Sequence, residues 1–336
     1  MKVAVFDTHR YERDILSEAA RARGHEVVFF EPRLTEATAV LARGTDAVCS
    51  FVNDRIDAAA LAVLKDVGVR LVALRSAGYN HVDLTAADRL GLPVVRVPAY
   101  SPHAVAEHAA ALILALNRRV HKAYVRVREG NFSLEGLTGF DMVGKVAGVI
   151  GTGRIGAALA RILHGFGCRV LAHDMAPDPE LTSAGIVRYV PLEELYRTSD
   201  IISLHVPLTP QTRHLVDAEA LALMKRGVML INTGRGALVD TPALLASLKA
   251  GHVGHAGLDV YEEEEGIFFR DLSDQVIKDD VLARLLTLPN VLVTSHQAFL
   301  TREALANIAE TTFDSVSAFE RGEPLVHAVH AAAVIR

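Results

Sequence analysis

Residues 146–174 read VAGVIGTGRIGAALARILHGFGCRVLAHD, and this stretch decides the fold. Val146–Ile150 is a short apolar, β-prone run. Gly151, Gly153 and Gly156 follow as G-x-G-x-x-G. Ile155–Phe166 then carries apolar side chains at helical spacing, with Gly167 where a helix C-cap belongs. A second short strand, Arg169–Ala172, leads to Asp174. Strand, glycine turn, helix, strand and terminal acid make a βαβ unit, with the acid about 20 residues beyond the glycines.

Each part has a physical task. Gly151 permits the tight turn, Gly153 lets the backbone approach a pyrophosphate, and Gly156 lets the helix pack close to the sheet. The helix N-terminus presents unpaired N–H groups and the positive end of its dipole to phosphates. Asp174 is placed to accept hydrogen bonds from the adenosine ribose and to repel a 2′-phosphate. Met175-Ala176-Pro177 beside it supplies no arginine to attract one. The motif therefore predicts NAD rather than NADP.

Outward from this unit the chain alternates strands and helices on both sides. Lys2–Phe6, His25–Phe30, Ala47–Phe51, Val69–Leu74 and Pro93–Val97 read as five strands of a first α/β domain, with helices over Glu12–Ala22 and Ala58–Lys65. Pro98-Ala99-Tyr100-Ser101-Pro102 brackets an exit from that domain, and one long helix is expected from Ala104 to about Val127. After the glycine unit come strands at Val187–Val190, Ile201–His205, Val228–Asn232, Gly254–Asp259 and Val291–Thr294, and a closing amphipathic helix over Thr301–Arg321. The expected architecture is α/β: two Rossmann-like, doubly wound parallel-sheet domains with an active-site cleft between them. Residues 101–298 form the nucleotide-binding domain. Residues 1–100 and 299–336 form a discontinuous substrate domain.

Composition narrows the function classes. The chain has 336 residues, half of them hydrophobic, and a formal charge of -5 with both signs interspersed, so no basic footprint for nucleic acid or anionic lipid is present. Cys49 and Cys168 are the only cysteines, which predicts no disulfide framework and a reducing compartment. The opening MKVAVFDTHR enters a strand without a signal-peptide apolar run, and Ala104–Leu116 is too short to span a bilayer. A soluble, cytoplasmic protein is expected. No His/Cys/Asp cluster has metal-ligand spacing, so no metal is expected.

Ligands of open α/β sheets gather at strand C-termini. In the nucleotide half those positions hold Asp174, His205, Arg235, Asp259 and His296, with Glu262–Glu265 just beyond Asp259. An arginine, an acid and a histidine near a nicotinamide point to reduction of a 2-keto acid. The arginine fork holds a carboxylate. A histidine protonates the carbonyl oxygen as hydride arrives, and a neighbouring carboxylate favours its charged form. Position alone leaves His205 and His296 as alternatives and does not choose among the four glutamates. In the first domain, Arg75-Ser76-Ala77-Gly78-Tyr79-Asn80 follows a strand end and offers backbone N–H groups to a small anion.

Eight stretches carry a resemblance to a known family: RSAGYNHVDL (75–84), VPAYSPHAVAEH (97–108), NFSLEGLTGFDMVGK (131–145), GVIGTGRIG (148–156), SLHVPLTPQTRHL (203–215), INTGRGALVD (231–240), GLDVYEEEE (257–265) and SHQAFLTREAL (295–305). The sequence resembles the D-isomer-specific 2-hydroxyacid dehydrogenases, and within them the bacterial fermentative D-lactate dehydrogenases. The resemblance implies that Arg235 anchors the substrate, that His296 is the acid–base catalyst and that Glu264 is its partner. It makes His205 a neighbour of the nucleotide and Asp259 a nicotinamide-side residue. It adds Arg154, Ile155, Val206, Pro207, Thr212, Thr233, Gly234 and Arg235 to Gly151, Gly153, Gly156 and Asp174 in the NAD site. It gives the substrate carboxylate to the backbone of Ala77 and Gly78, and the methyl group to Tyr100 and Phe299. Gly266–Asp280 resembles the insert of the lactate-type members. The implied reaction is NADH-dependent reduction of pyruvate to D-lactate by a homodimer or homotetramer. The alternatives are a reductase of hydroxypyruvate or of a larger keto acid, such as phenylpyruvate or 2-ketoisocaproate, and, more distantly, an NAD(H)-sensing corepressor-like module.

Overall fold

The computed structural model describes residues 1–331. Thirteen strands are found among them: β1 Lys2–Val5, β2 Glu26–Phe29, β3 Ala47–Ser50, β4 Leu71–Leu74, β5 Val94–Val95, β6 Val146–Ile150, β7 Arg169–His173, β8 Val187–Tyr189, β9 Ile201–Leu204, β10 Val228–Asn232, β11 Val253–Leu258, β12 Val291–Val293 and β13 Ala328–Val329. They form two sheets in two compact units, one made of Met1–Ser101 with the segment from Phe299 onward, the other of Pro102–Ala298.

The first unit orders its strands β13-β5-β4-β3-β1-β2. All neighbours are parallel except β13, which returns antiparallel to β5 and adds an edge that the alternation of strands and helices did not predict. The period-two alternation of β1 sends Val3 and Val5 to one face and Ala4, followed by Phe6, to the other. On the Val3 face, Leu16 and Ala20 of the helix Arg10–Ala22 pack with Phe313 and Val316 of the helix Arg302–Glu320. Both faces of β3 and β4 are therefore covered, which explains their wholly buried, apolar composition. The Thr301 side chain caps the helix Arg302–Glu320 by accepting the Ala304 N–H.

The second unit is an all-parallel sheet in the order β12-β11-β10-β9-β6-β7-β8. Chain order reverses between β6 and β9, so the crevice beyond their C-terminal ends is the topological switch point where such sheets bind ligands. The glycine turn leaves β6 there, and the His205 loop leaves β9. One core layer holds Ala147 and Val149 against Ile113, Leu116 and Leu159; the opposite layer holds Val146 and Ile150 with Leu195, Leu230 and Leu244.

The single long helix expected from Ala104 to about Val127 is instead two, Pro102–Arg118 and Val120–Arg128. Arg119 breaks it with a left-handed backbone, φ 51°. The reason lies in burial. The first helix buries nine side chains against the sheet, whereas the second buries none. Packing therefore gives no reason for the axis to continue straight. Among the described residues no helix is long and apolar enough to cross a membrane, and no group of His, Cys, Asp and Glu has the geometry to hold a metal.

Candidate active site

The glycine turn is built as its sequence demands. Gly151 adopts φ +91°, and a Cβ there would lie 2.6 Å from the His205 carbonyl oxygen. A Cβ on Gly156 would lie 1.8 Å from the Gly151 carbonyl oxygen, so the helix Arg154–Gly165 can start only where that side chain is missing. Gly153 is the N-cap and offers no capping side chain. The N–H groups of Arg154 and Ile155 have no hydrogen-bond partner among the described residues. Gly153 and Arg154 are exposed. An uncapped, open helix N-terminus behind a glycine turn fits a dinucleotide pyrophosphate.

Asp174 lies just past β7 and is tied to the same turn. Its Oδ2 accepts the Thr152 N–H at 2.5 Å and the Thr152 hydroxyl at 3.1 Å, and its Oδ1 accepts the Ala176 N–H at 2.8 Å. Burial pushes its carboxyl up, but these donors outweigh burial and hold it below the usual carboxylate range. It is an anion with acceptor capacity to spare.

The His205 loop covers the neighbouring strand end. The His205 Nε2 is 2.8 Å from the Ser203 hydroxyl, and burial pushes the imidazole down to about 4. His205 is therefore neutral near pH 7 and has no carboxylate beside it. Val206 and Pro207 continue the loop, and the Thr212 hydroxyl closes it by donating to the Pro207 carbonyl at 2.6 Å.

Arg235 follows β10 in a turn framed by Asn232. The Asn232 Oδ1 accepts the Gly234 N–H at 3.0 Å, and its Nδ2 donates to the Arg235 carbonyl at 2.8 Å. This side-chain-closed turn projects Thr233, Gly234 and Arg235 beyond the strand. The Thr233 Oγ1 is buried with no partner among the described residues. An orphaned hydroxyl at a strand end in this crevice fits a bound nicotinamide nucleotide. Arg235 donates through Nη1 to the Gly234 carbonyl at 2.7 Å and forms no ion pair with any described carboxylate.

The acid–base candidates meet at the ends of β11 and β12. His296 Nδ1 is 2.8 Å from Glu264 Oε1. Glu264 is fixed from its other oxygen, which accepts the Tyr261 N–H at 3.2 Å, while its carbonyl accepts the Ile267 and Phe268 N–H groups. Of the neighbouring glutamates, Glu262 faces elsewhere and bonds Arg213 at 2.7 Å and His214 at 2.9 Å. His296 holds a left-handed backbone, φ 51°, unusual for a non-glycine residue. Its N–H donates to the Asp259 carbonyl at 2.7 Å, and its ring lies 5.9 Å from that of Phe269. The Nε2 has no hydrogen-bond partner among the described residues. Gly236 joins the two halves of the site. A Cβ there would fall 2.1 Å from the Tyr261 carbonyl carbon, so the Arg235 turn rests directly on the backbone that leads to Glu264.

Asp259 is fully buried and serves the loop that carries His296. Its Oδ1 accepts from the Thr294 hydroxyl at 2.6 Å and the Gln297 N–H at 2.9 Å, and its Oδ2 accepts the Ala298 N–H at 2.8 Å. His108 Nε2 lies 3.3 Å from the same carboxylate. Burial pushes the Asp259 carboxyl up, yet His108, Thr294 and Ala298 hold it below the ordinary range. Reading the sequence missed His108 and Thr294, because nothing local to either marks a partner so distant in the chain. Asn232, by contrast, is legible as a turn-forming side chain two residues before a glycine.

The remaining candidates lie in the first unit. Ala77 and Gly78 follow β4. Tyr100 meets Phe299 edge-on at 6.3 Å, and Phe299 meets Phe51 at 6.2 Å. Phe51, another residue missed from sequence, sits under the guanidinium of Arg75 at 4.6 Å; Arg75 is itself fully buried and paired through two nitrogens with Glu12 at 2.9 and 3.0 Å.

Residues 110–298 match the family described as D-isomer specific 2-hydroxyacid dehydrogenase, NAD binding domain. The D-lactate dehydrogenase of Escherichia coli is 54% identical over 323 residues, covering 96% of this chain and 98% of that protein. The solved apo-structure of the Escherichia coli D-lactate dehydrogenase superposes with a TM-score of 0.90, at 51% identity, over 98% of this chain and 100% of that one. The structure of the pyruvate reductase of Chlamydomonas reinhardtii gives 0.92 at 48% identity, over 97% and 98%. The chain belongs to the D-isomer-specific 2-hydroxyacid dehydrogenases and is an NAD-dependent oxidoreductase.

Proposed function

We propose that this enzyme reduces pyruvate to D-lactate, reversibly. The observation that carries the reading is the His296–Glu264 pair with its open Nε2, set beside an arginine that has no carboxylate of its own. NADH, when bound, supplies the hydride to the keto carbon. Arg235 receives the substrate carboxylate on its planar fork. The backbone N–H groups of Ala77 and Gly78 hold that carboxylate too, and Tyr100 and Phe299 bound its methyl group. His296 donates the Nε2 proton to the carbonyl oxygen and recovers it in the reverse direction. Glu264 keeps the ring in the orientation that this needs. Asp259 fixes the loop on which His296 stands. Gly151, Gly153, Arg154, Ile155, Gly156, Asp174, His205, Val206, Pro207, Thr212, Thr233, Gly234 and Asp259 form the NAD site, with the ribose on Asp174.

Two buried, unpaired cysteines suit a reducing compartment, the cytoplasm. The exposed apolar side chains Val120, Tyr124, Val125, Phe132, Leu134 and Val143 suit burial against a second copy in a homodimer or homotetramer, which sedimentation would detect.

The test is NADH oxidation with pyruvate, hydroxypyruvate, 2-ketobutyrate, 2-ketoisocaproate, phenylpyruvate and glyoxylate, with chiral analysis of the product. The reading predicts the highest kcat/KM for pyruvate and a D product. A preference for phenylpyruvate or 2-ketoisocaproate would keep the chemistry and remove the small pocket assigned to Tyr100 and Phe299.

A further inference from the structure

We infer that Arg96 is a positioning residue that aims the backbone amides of the 76–79 loop at the substrate carboxylate. The inference deepens the reading above and rests on it.

In this loop three successive carbonyls are each tied back into the first unit. The Ser76 carbonyl accepts the Val97 N–H at 3.1 Å. The Ala77 carbonyl accepts Nη1 of Arg96 at 2.8 Å. The Gly78 carbonyl accepts the Ser76 hydroxyl at 2.8 Å. In a planar trans peptide, the carbonyl of one residue and the N–H of the next point in opposite directions. Tying back these three carbonyls therefore turns the N–H groups of Ala77, Gly78 and Tyr79 the other way. None of those three has a hydrogen-bond partner among the described residues. Three neighbouring unpaired donors form an anion-binding concavity, and Tyr79 joins the two residues already assigned to it.

The middle peptide depends on Arg96 alone for its side-chain tether. Two other contacts hold that arginine. Its guanidinium lies 5.2 Å from the centroid of the Tyr79 ring, and its own N–H donates to the His327 carbonyl at 3.1 Å. One side chain thus grips the loop at Ala77 and at Tyr79. It forms no ion pair with a described carboxylate, so its charge also adds to the positive potential behind the three amides. Without it the Ala77–Gly78 peptide is free to rotate, and rotation would present a carbonyl oxygen to the incoming carboxylate.

Steady-state kinetics of the full-length enzyme test this with Arg96→Met and Arg96→Lys, each against pyruvate and NADH, together with inhibition by oxamate. Arg96→Met should raise the pyruvate KM and the oxamate inhibition constant by about tenfold or more, with little change in kcat or in the KM for NADH. Arg96→Lys keeps a donor within reach of the Ala77 carbonyl and should recover most of the loss. Unchanged pyruvate and oxamate constants in Arg96→Met, beside raised ones in Arg235→Gln, overturn the role of Arg96 alone. Unchanged constants in both variants overturn the carboxylate reading and this inference with it. A parallel rise in the NADH KM, or no recovery in a folded Arg96→Lys, would mark Arg96 as merely structural and contradict the proposal. Should Arg96→Met fail to fold, Arg96→Lys is compared with Ser76→Ala, which releases the next carbonyl and should raise the same two constants.

Discussion

His296 Nδ1 lies 2.8 Å from Glu264 Oε1, across 32 residues of sequence. The contact fixes the ring so that Nε2 is the nitrogen left to exchange a proton. Replacing Glu264 by Gln keeps the length and removes the charge. The kcat for pyruvate reduction should then fall about tenfold or more, with the KM for NADH unchanged. An unchanged kcat would remove Glu264 from this role.

Asp174, proposed above to hold the ribose, is kept ionised by Thr152 and Ala176. Asp174→Asn keeps oxygen and nitrogen at that place but no anion. The ratio of kcat/KM for NADPH to that for NADH should rise about tenfold or more. An unchanged ratio would mean that the discrimination lies elsewhere.

Gly236 lets the Arg235 turn rest on the Tyr261 backbone. In Gly236→Ala a methyl group must displace main-chain atoms rather than a flexible side chain. The expected result is a stability loss of about 1–3 kcal/mol, with a raised pyruvate KM as Arg235 is pushed away. Wild-type melting temperature and KM together would contradict the close approach.

His205 gives a pH signature in stability rather than in turnover. Its folded form titrates near 4 because burial disfavours the charged ring, whereas an unfolded histidine titrates at about 6.5. Below 6.5 the unfolded chain binds a proton that the folded chain refuses. The contribution is therefore complete above pH 6.5 and is lost as pH falls toward 4, by at most about 3 kcal/mol. Melting temperatures of His205→Gln measured from pH 7 to 4 should fall less steeply than those of the unmodified chain. Parallel curves would place the ring in water.

These residues differ in how far the sequence revealed them. The glycine turn was legible because each glycine answers a local constraint, and the structure shows backbone atoms where the side chains of Gly151 and Gly156 would stand. The Arg235 turn was legible for a similar reason, since Asn232 closes it two and three residues away. Glu264 was not legible from chemistry alone. Four identical carboxylates follow Tyr261, and only the turn bringing Glu264 Oε2 to the Tyr261 N–H separates it from Glu262, which faces Arg213. The His108–Asp259 contact and the antiparallel β13 depend on chain segments far apart in sequence, where periodicity carries no information. Arg119 marks the limit of periodicity from the other side: the helical pattern runs on through it, while the loss of burial on the far side ends the helix.

If His296 is the acid that completes pyruvate reduction, kcat for pyruvate with His296→Asn at saturating NADH should fall about a thousandfold, with NADH affinity, followed by fluorescence, unchanged. A variant that retains wild-type kcat would contradict that role and turn attention to His205.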